Sequence, residues 1–428
     1  MQNSILYFLI SASILIYAVP VQSQRTITLS EAEELFKQRN AELIVTTQTE
    51  IINANAAIKE AKLLNNPEIS IEQVNLWSTS KQRDGEKELI PPIIGNFAKN
   101  TQFSLELSQE IRLGGERRKN IRKEKKNKEV ASFENLEKTH TMLLEFKEEV
   151  FQLHYAKEYA SVLEQQKKIY DTIITNYKKQ YELGYIAPTE LLRIQAEALQ
   201  LKQELNDTYK DINSGIETIQ SLLGYNMDEI VQIDIPANSM RLENGVDYLY
   251  SLLNYNPTIL KGKAQIEAQQ QNLSYERAVR IPNMTLSANY DRFGGVWKDF
   301  IGFGVSFSLP VFNRNQANTK AAKQLTKLAS FEVEQENIKL RNKIHTSFLN
   351  YQQTLLFLNQ LEEEPIIADL DFLLNKYESN ILKQNISLIE FIDFMNTYKD
   401  TKNILLETQK ELFNQYSILE ATVGVKLN

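Results

Sequence analysis

The sequence predicts a mainly α protein with a small β part, built as two structural repeats within one body. Three observations carry this. First, the chain repeats its own pattern at an offset of 200 positions: 103–111 (FSLELSQEI) aligns with 303–311 (FGVSFSLPV), 177–192 (YKKQYELGYIAPTELL) with 377–392 (YESNILKQNISLIEFI), and 221–224 (SLLG) with 421–424 (ATVG). A constant offset means that the intervening lengths are equal, which loops rarely maintain and rods do. Second, each half holds two stretches of about ten residues in which apolar and polar side chains alternate, the period of a half-buried strand. Third, 14 Gly and 10 Pro among 428 residues leave long uninterrupted stretches of good helix formers.

Residues 1–23 read as a secretory signal. An apolar run at 5–18, too short to span a bilayer, is followed by Pro20 and the small residue Ser23. The first repeat occupies 24–224. Its opening helix begins at Ser30, an N-cap candidate with Glu33 three residues on, and is stopped by Asn65-Asn66-Pro67. A strand over 68–77 and a polar loop containing Pro91-Pro92 follow. In the next strand, 102–111, Phe103, Leu105, Leu107 and Ile111 alternate with Ser104, Glu106, Ser108 and Glu110. A long helix then covers 113–183. Its Leu143, Phe146, Val150, Leu153, Ala160, Leu163, Tyr170 and Tyr177 recur at coiled-coil spacings and define one narrow buried seam. A tight turn leads to a helix over 189–223.

An inter-repeat segment at 225–244 precedes the second repeat, 245–428. Ile281-Pro282 ends a helix, and strands follow at 283–291 and 301–311 around a short loop at 294–299. The long helix of this half, 316–382, should kink at Pro365, because proline removes a backbone donor and clashes with the preceding turn. A last helix covers 388–423.

The formal net charge of −7 opposes a nucleic-acid partner, which needs a basic face. The basic run 117–128 is the local exception. It is interleaved with Glu116, Glu124 and Glu129, and reads as a solvated helix face near a membrane. The absence of cysteine excludes disulfides, thiolate chemistry and a thioether-linked lipid at the mature N-terminus. After the signal no apolar run of 18 residues occurs, so a membrane span would have to be a β-barrel. Strands apolar on one side and polar on the other suit lipid outside and water inside, and equally a soluble sheet over a core. Trp77, Phe97, Tyr290, Phe293, Trp297 and Phe300 near the strand ends fit an interfacial girdle or a core. Four strands cannot close a barrel. If they span a membrane the chain oligomerises, and a trimer with twelve strands is the simplest closed solution.

The residues Ser108-Gln-Glu-Ile-Arg-Leu-Gly-Gly-Glu-Arg117, their echo Leu309-Pro-Val-Phe-Asn-Arg-Asn-Gln316, the turn Leu183-Gly-Tyr-Ile-Ala187 and Pro365 resemble those of the TolC family of outer-membrane efflux proteins. The likeness is closest to the CzcC/CusC-type branch of heavy-metal tripartite pumps. It extends over essentially the whole mature chain. It implies a homotrimer with a twelve-stranded barrel in outer-membrane lipid and a tunnel of helices in the periplasm. The tunnel's closed end, at the helical turns, would dock a periplasmic adaptor bound to an inner-membrane RND-type pump.

No enzyme chemistry is legible. His140, His154 and His345 are not at ligand spacing, and no phosphate loop, dinucleotide fingerprint, nucleophile elbow or zinc-protease motif is present. No cofactor and no metal site can be read from the chain. What remains is electrostatic. Glu190 follows the first turn; Glu390 and Asp393 follow the second. Three-fold symmetry would make each a ring of carboxylates that favours cations and is sensitive to pH. In the family, acids matching Glu390 and Asp393 line the closed end. Acids in a helix's opening turn also suit its dipole without any pore.

Relatives that latch the gate with Arg or Tyr have counterparts here in Ile381 and Ile386, so apolar packing would replace the latch. Gly184, Tyr185, Ile186 and Ala187 at one turn, and Asn385, Ile386 and Ser387 at the other, are candidate adaptor contacts. Because Gly184 can adopt a positive φ and Gln384 resists it, the second turn is expected to differ in shape. The leading function is a passive exit duct of a tripartite efflux system, conducting heavy-metal cations or other cargo. The alternative is a coiled-coil structural or adhesive envelope protein without a pore.

Overall fold

The computed structural model describes residues 25–75, 102–226, 231–235, 241–242, 244–294, 297–363 and 365–427. The signal segment, Trp77, Phe97, the Pro91-Pro92 loop and much of the inter-repeat segment lie outside them, as do the side chains of Phe293 and Trp297. The elements in order are β1 (Arg25–Thr28), α1 (Leu29–Arg39), α2 (Ala41–Lys62), β2 (Glu68–Asn75), β3 (Gln102–Ile111), α3 (Glu116–Glu182) and α4 (Pro188–Leu222). Then come β4 (Val231–Asp234), α5 (Val246–Leu252), a single 3-10 turn, α6 (Pro257–Ala278), β5 (Met284–Gly294) and β6 (Trp297–Phe307). The chain ends with α7 (Gln316–Glu363), α8 (Ile366–Leu382) and α9 (Leu388–Val423). These fall into two compact units, one of 1–46, 138–253 and 340–428, the other of 47–137 and 254–339.

The first unit is mainly helical, with the short strands β1 and β4 beside its helices. The broken helix is present as expected: α7 and α8 are separated at Pro365, which caps α8 by accepting from Asp369 N at 2.8 Å. Phe146, Val150, Leu153, Ala160, Leu163, Tyr170 and Tyr177 are buried, whereas Leu143 is half-buried. The seam is wider than its spacing indicated. Phe151, Ala156, Ile169 and Ile173 are buried too: Phe151 stacks on Phe413 of α9, and Ile169 and Ile173 join Ile194, Ala198 and Leu201 of α4 and Phe391 and Met395 of α9 in one apolar cluster. Two packed sides need a stripe broader than a coiled-coil seam.

Two expectations for the opening helix fail. The N-cap is Thr28, not Ser30: its hydroxyl accepts from Glu31 N while the Glu31 carboxylate accepts from Thr28 N at 2.8 Å, closing a capping box two residues earlier. Residues 25–28 are extended and pair in parallel with β4, which fixes where the helix can begin. The helix is also two helices. Asn40 leaves helical geometry at ψ 110°, accepts from Leu43 N at 2.9 Å, and donates to Leu222 O at 3.2 Å. Buried Asn40 thereby caps α2 and satisfies a carbonyl at the end of α4.

One buried ion cluster ties the termini of this unit together. Lys147, on α3, is 5% exposed and meets Glu33 of α1 at 2.9 Å and Glu420 of α9 in a short contact. Leu427 N donates to Glu420 at 3.1 Å, and Lys426 approaches Glu33 at 3.3 Å. Burial pulls the Lys147 ammonium down, but Glu420 and Glu33 outweigh it, so its pKa lies above the usual 10.5. A lysine raised in the fold stabilises fully below pH 10.5, and that contribution is lost as pH rises through the higher value.

In the second unit the sheet order is β2-β3-β5-β6, all antiparallel. The strand expected at 301–311 ends at Phe307, with Ser308 N making a last bond to Asn283 O at 3.4 Å; Pro310 cannot donate, so Leu309 and Val311 lie beyond it. The loop expected at 294–299 is shorter, since Gly294 pairs with Trp297.

Removing the central cation tests the cluster. Lys147→Met leaves two carboxylates facing each other in a dry site and should cost about 3–5 kcal/mol. Thermal unfolding should show a lowered transition that recovers partly toward acid pH, and an unchanged transition would refute the role given to this lysine.

Candidate pore tip and membrane-facing sheet

The register of the second unit sorts the sheet into two chemically opposite faces. Ile71↔Leu105↔Tyr290↔Ile301 and Ile69↔Leu107↔Ala288↔Phe303 are rungs of one face, continued by Leu286↔Val305 and Met284↔Phe307. The opposite face reads Glu72↔Ser104↔Asp291 and Ser70↔Glu106↔Asn289↔Gly302. Among the described residues nothing covers the apolar face: Phe303 is 88% exposed and Ile69 68%. A soluble sheet would cover such a face with a core, so the alternation of the strands is resolved in favour of a face that meets something outside the chain. Of the girdle aromatics, Tyr290 is in register with this face and donates to Asp299 at 2.6 Å, whereas Phe300 falls on the polar-face register, opposite Asp291.

In the first unit, α3 and α4 form one hairpin and α8 and α9 another. Their turns share one backbone. Gly184 N bonds Tyr181 O and Tyr185 N bonds Gln180 O; at the same offset Gln384 N bonds Ile381 O and Asn385 N bonds Asn380 O. Gly184 has φ 77° and Gln384 φ 60°. The expectation of a differently shaped second turn is therefore wrong. A glutamine accepts the left-handed conformation, at a cost of about 1–2 kcal/mol, because the paired hydrogen bonds and the helices on either side determine it. The same offset relates Gly115 (φ 69°) to Asn315 (φ 53°) and Gly224 (φ 65°) to Gly424 (φ 78°).

The candidate residues sit as follows. Tyr185 is 74% exposed, Gly184, Ala187, Asn385 and Ser387 are exposed, and Ile186 and Ile386 are half-buried against the apolar cluster. Gln384 Nε2 donates to Gln180 Oε1 at 3.1 Å, which brings the two turns together. Ile381 is 1% exposed and packs in the same cluster as Leu388 and Phe391, while Glu190, Glu390 and Asp393 are exposed. Glu390 also acts locally, closing a capping box with Ser387, whose hydroxyl accepts from Glu390 N at 3.2 Å. The helix carrying Glu190 has no side-chain cap and starts on Pro188.

Several polar residues that hold the hairpins escaped the sequence reading. Lys202 binds Asp171 at 2.9 Å and Lys402 binds Asp371 at 2.8 Å, the same pair in both halves. Comparing titratable residues across the offset would have found it. Asp371 also accepts from Tyr398 at 2.9 Å, and Glu204 accepts from Lys399 at 2.9 Å and from Tyr159 in a short bond. Burial, then the Glu204 hydrogen bond, pushes the Tyr159 phenol well above its usual range; burial and Asp371 do the same for Tyr398. Both remain neutral donors. Gln166 Nε2 donates to Met395 O at 2.7 Å. Among the described residues no three His, Asp or Glu converge on a metal-sized space, and no helix is long and apolar enough to cross a membrane. His345 pairs with the Tyr250 hydroxyl at 3.2 Å.

Paired helical hairpins joined to a sheet with one uncovered apolar face define a protein of the membrane-channel type. The outer membrane efflux protein family model matches residues 35–225 and 248–364, and the chain belongs to that family. It is 22% identical over 139 residues to the cobalt-zinc-cadmium resistance protein CzcC of Cupriavidus metallidurans, a match covering 32% of this chain and 33% of that protein. Its fold is similar to that of CusC (TM-score 0.73, 16% identity, 93% of this chain and 92% of that one). It is also similar to the outer-membrane channel OprN (TM-score 0.74, 15% identity, 93% and 90%).

The shared turn geometry has a measurable consequence. Gly184→Ala should loosen its turn by about 1 kcal/mol, and Gln384→Gly should tighten the other by a similar or smaller amount. Hydrogen exchange of the amides at 183–187 and 383–387 reads this directly. Faster exchange in the Gln384→Gly turn would contradict the strain assigned to it.

Proposed function

We propose that the chain is the outer-membrane exit duct of a tripartite efflux system. Three copies would join their sheets into a twelve-stranded barrel with the apolar faces in lipid, and their helical hairpins would form a periplasmic tunnel. The observation that carries this is the sheet itself: one face is apolar on all four strands apart from Gln109, and β2 and β6 are outer strands, each paired on one side only among the described residues. A bilayer tolerates neither open edges nor unpaired backbone, so a lipid-facing sheet of this kind needs further copies.

The duct is passive, with no catalytic residue of its own and no cofactor. Its partners are a periplasmic adaptor and an inner-membrane pump of RND type. The mature protein is not lipidated and resides in the outer membrane of a Gram-negative bacterium. The exposed turn residues Gly184, Tyr185, Ile186, Ala187, Asn385, Ile386 and Ser387 meet the adaptor. Rings of Glu190, Glu390 and Asp393 set cation preference at the closed end, with Ile381 and Ile386 contributing apolar closure. Heavy-metal cations are the favoured cargo, on the strength of the relative named for cobalt, zinc and cadmium resistance.

Purified mature protein should migrate as a heat-modifiable trimer and conduct ions in planar bilayers. Glu390→Ala with Asp393→Ala should raise single-channel conductance and reduce cation preference. A monomer without conductance would end the channel reading, whereas a pore of unaltered selectivity would remove only the role of the acids.

A further inference from the structure

The basic run after β3 is not absorbed by the duct function, and the structure gives it a counterpart. On α3 its three acids are engaged nearby: Glu116 with Arg112 at 3.5 Å, Glu124 with Lys123 at 2.9 Å and Glu129 with Lys126 at 2.7 Å. Arg118, Arg122 and Lys125 are exposed and have no carboxylate partner among the described residues. They stand at i, i+4 and i+7, one stripe of the helix. On α7, Lys320, Lys323 and Lys327 at i, i+3 and i+7 are likewise exposed and unpaired among the described residues, and 316–331 contains no acid.

Both stripes lie at one end of the same sheet. Ile111, Met284 and Phe307 are register partners, so β3 and β6 end at the same level; α3 begins at Glu116, shortly after Ile111, and α7 at Gln316, after a longer connection from Phe307. The cations do not serve their helices, because positive charge in the opening turns opposes the helix dipole. Each stripe spans about 10 Å along its helix, comparable with the headgroup layer beside a hydrocarbon core of about 30 Å.

We infer that these two stripes form a cationic collar that binds the phosphates of anionic phospholipids in the periplasmic leaflet. The inference rests on the reading of the apolar sheet face as lipid-facing. Continuity decides the occupant: the cations follow that face, on the α7 side after the exposed Leu309, Val311 and Phe312, and juxtamembrane cations attract anionic headgroups.

The test reconstitutes the full mature protein in vesicles of equimolar phosphatidylglycerol and phosphatidylcholine and counts co-extracted lipids by native mass spectrometry. Phosphatidylglycerol should be enriched several-fold at low salt, and each cation removed should lower that preference. The variant carrying Arg118→Gln, Arg122→Gln, Lys320→Gln and Lys323→Gln should approach parity, while Lys178→Gln with Lys179→Gln, exposed cations of the other unit, should not. The thermal transition of each variant confirms that it is folded. Parity in the unsubstituted protein, or unchanged enrichment in the quadruple variant, would overturn the collar and assign the stripes to a protein surface. A protein that enters neither these vesicles nor pure phosphatidylcholine would overturn the duct and the collar together.

Discussion

A sheet with one largely apolar face, whose outer strands are paired on one side only among the described residues, is an incomplete object. In water that face attracts aggregation, and in lipid the outward N–H and C=O groups of β2 and β6 have no partner at all. This constraint organises the second unit. In lipid, only pairing with further strands would satisfy the edges. The helices then have to leave the sheet at set positions, through Gly115 on one side and Asn315 on the other, both with positive φ.

The first unit solves a different problem, that of keeping two hairpins in register without a compact globular core. Apolar packing of α3, α4, α8 and α9 supplies most of the driving force. Register comes from polar rungs that cannot slide: Lys202 to Asp171, Lys402 to Asp371, and Gln166 to the Met395 carbonyl. The exposed pairs add little energy by themselves. The buried Lys147 between Glu33 and Glu420 is of another kind, because losing it leaves the buried Glu420 without its cation.

Much of this architecture was legible because long elements carry strong periodic signals. β3, α4, α9 and the break at Pro365 fall within a residue or two of where alternation, capping and proline placed them. What was missed has little local signal. β1 and β4 are four residues each, too short to show a period, and their parallel pairing joins residues far apart in sequence. Asn40 interrupts a helix-forming stretch for a tertiary reason, its bond to Leu222 O. The positions of the two turns were readable from the offset alone, but the conformation of Gln384 was not, since propensity argued against what the surrounding hydrogen bonds impose. Glu204 and Asp371 as shared acceptors depend on which helix faces which, information that no single helical period holds.

The three left-handed corners also say something about how such a chain can change. The corners are occupied by Gly115 and Asn315, Gly184 and Gln384, Gly224 and Gly424. Side-chain chemistry differs between the halves while the bend geometry is the same, so geometry is what the fold requires and side-chain identity is what it leaves adjustable. A doubled gene of this kind gives each hairpin its own licence to specialise, one offering an aromatic knuckle at Tyr185 and the other a self-capped acid at Glu390, provided neither gains or loses a single residue of length.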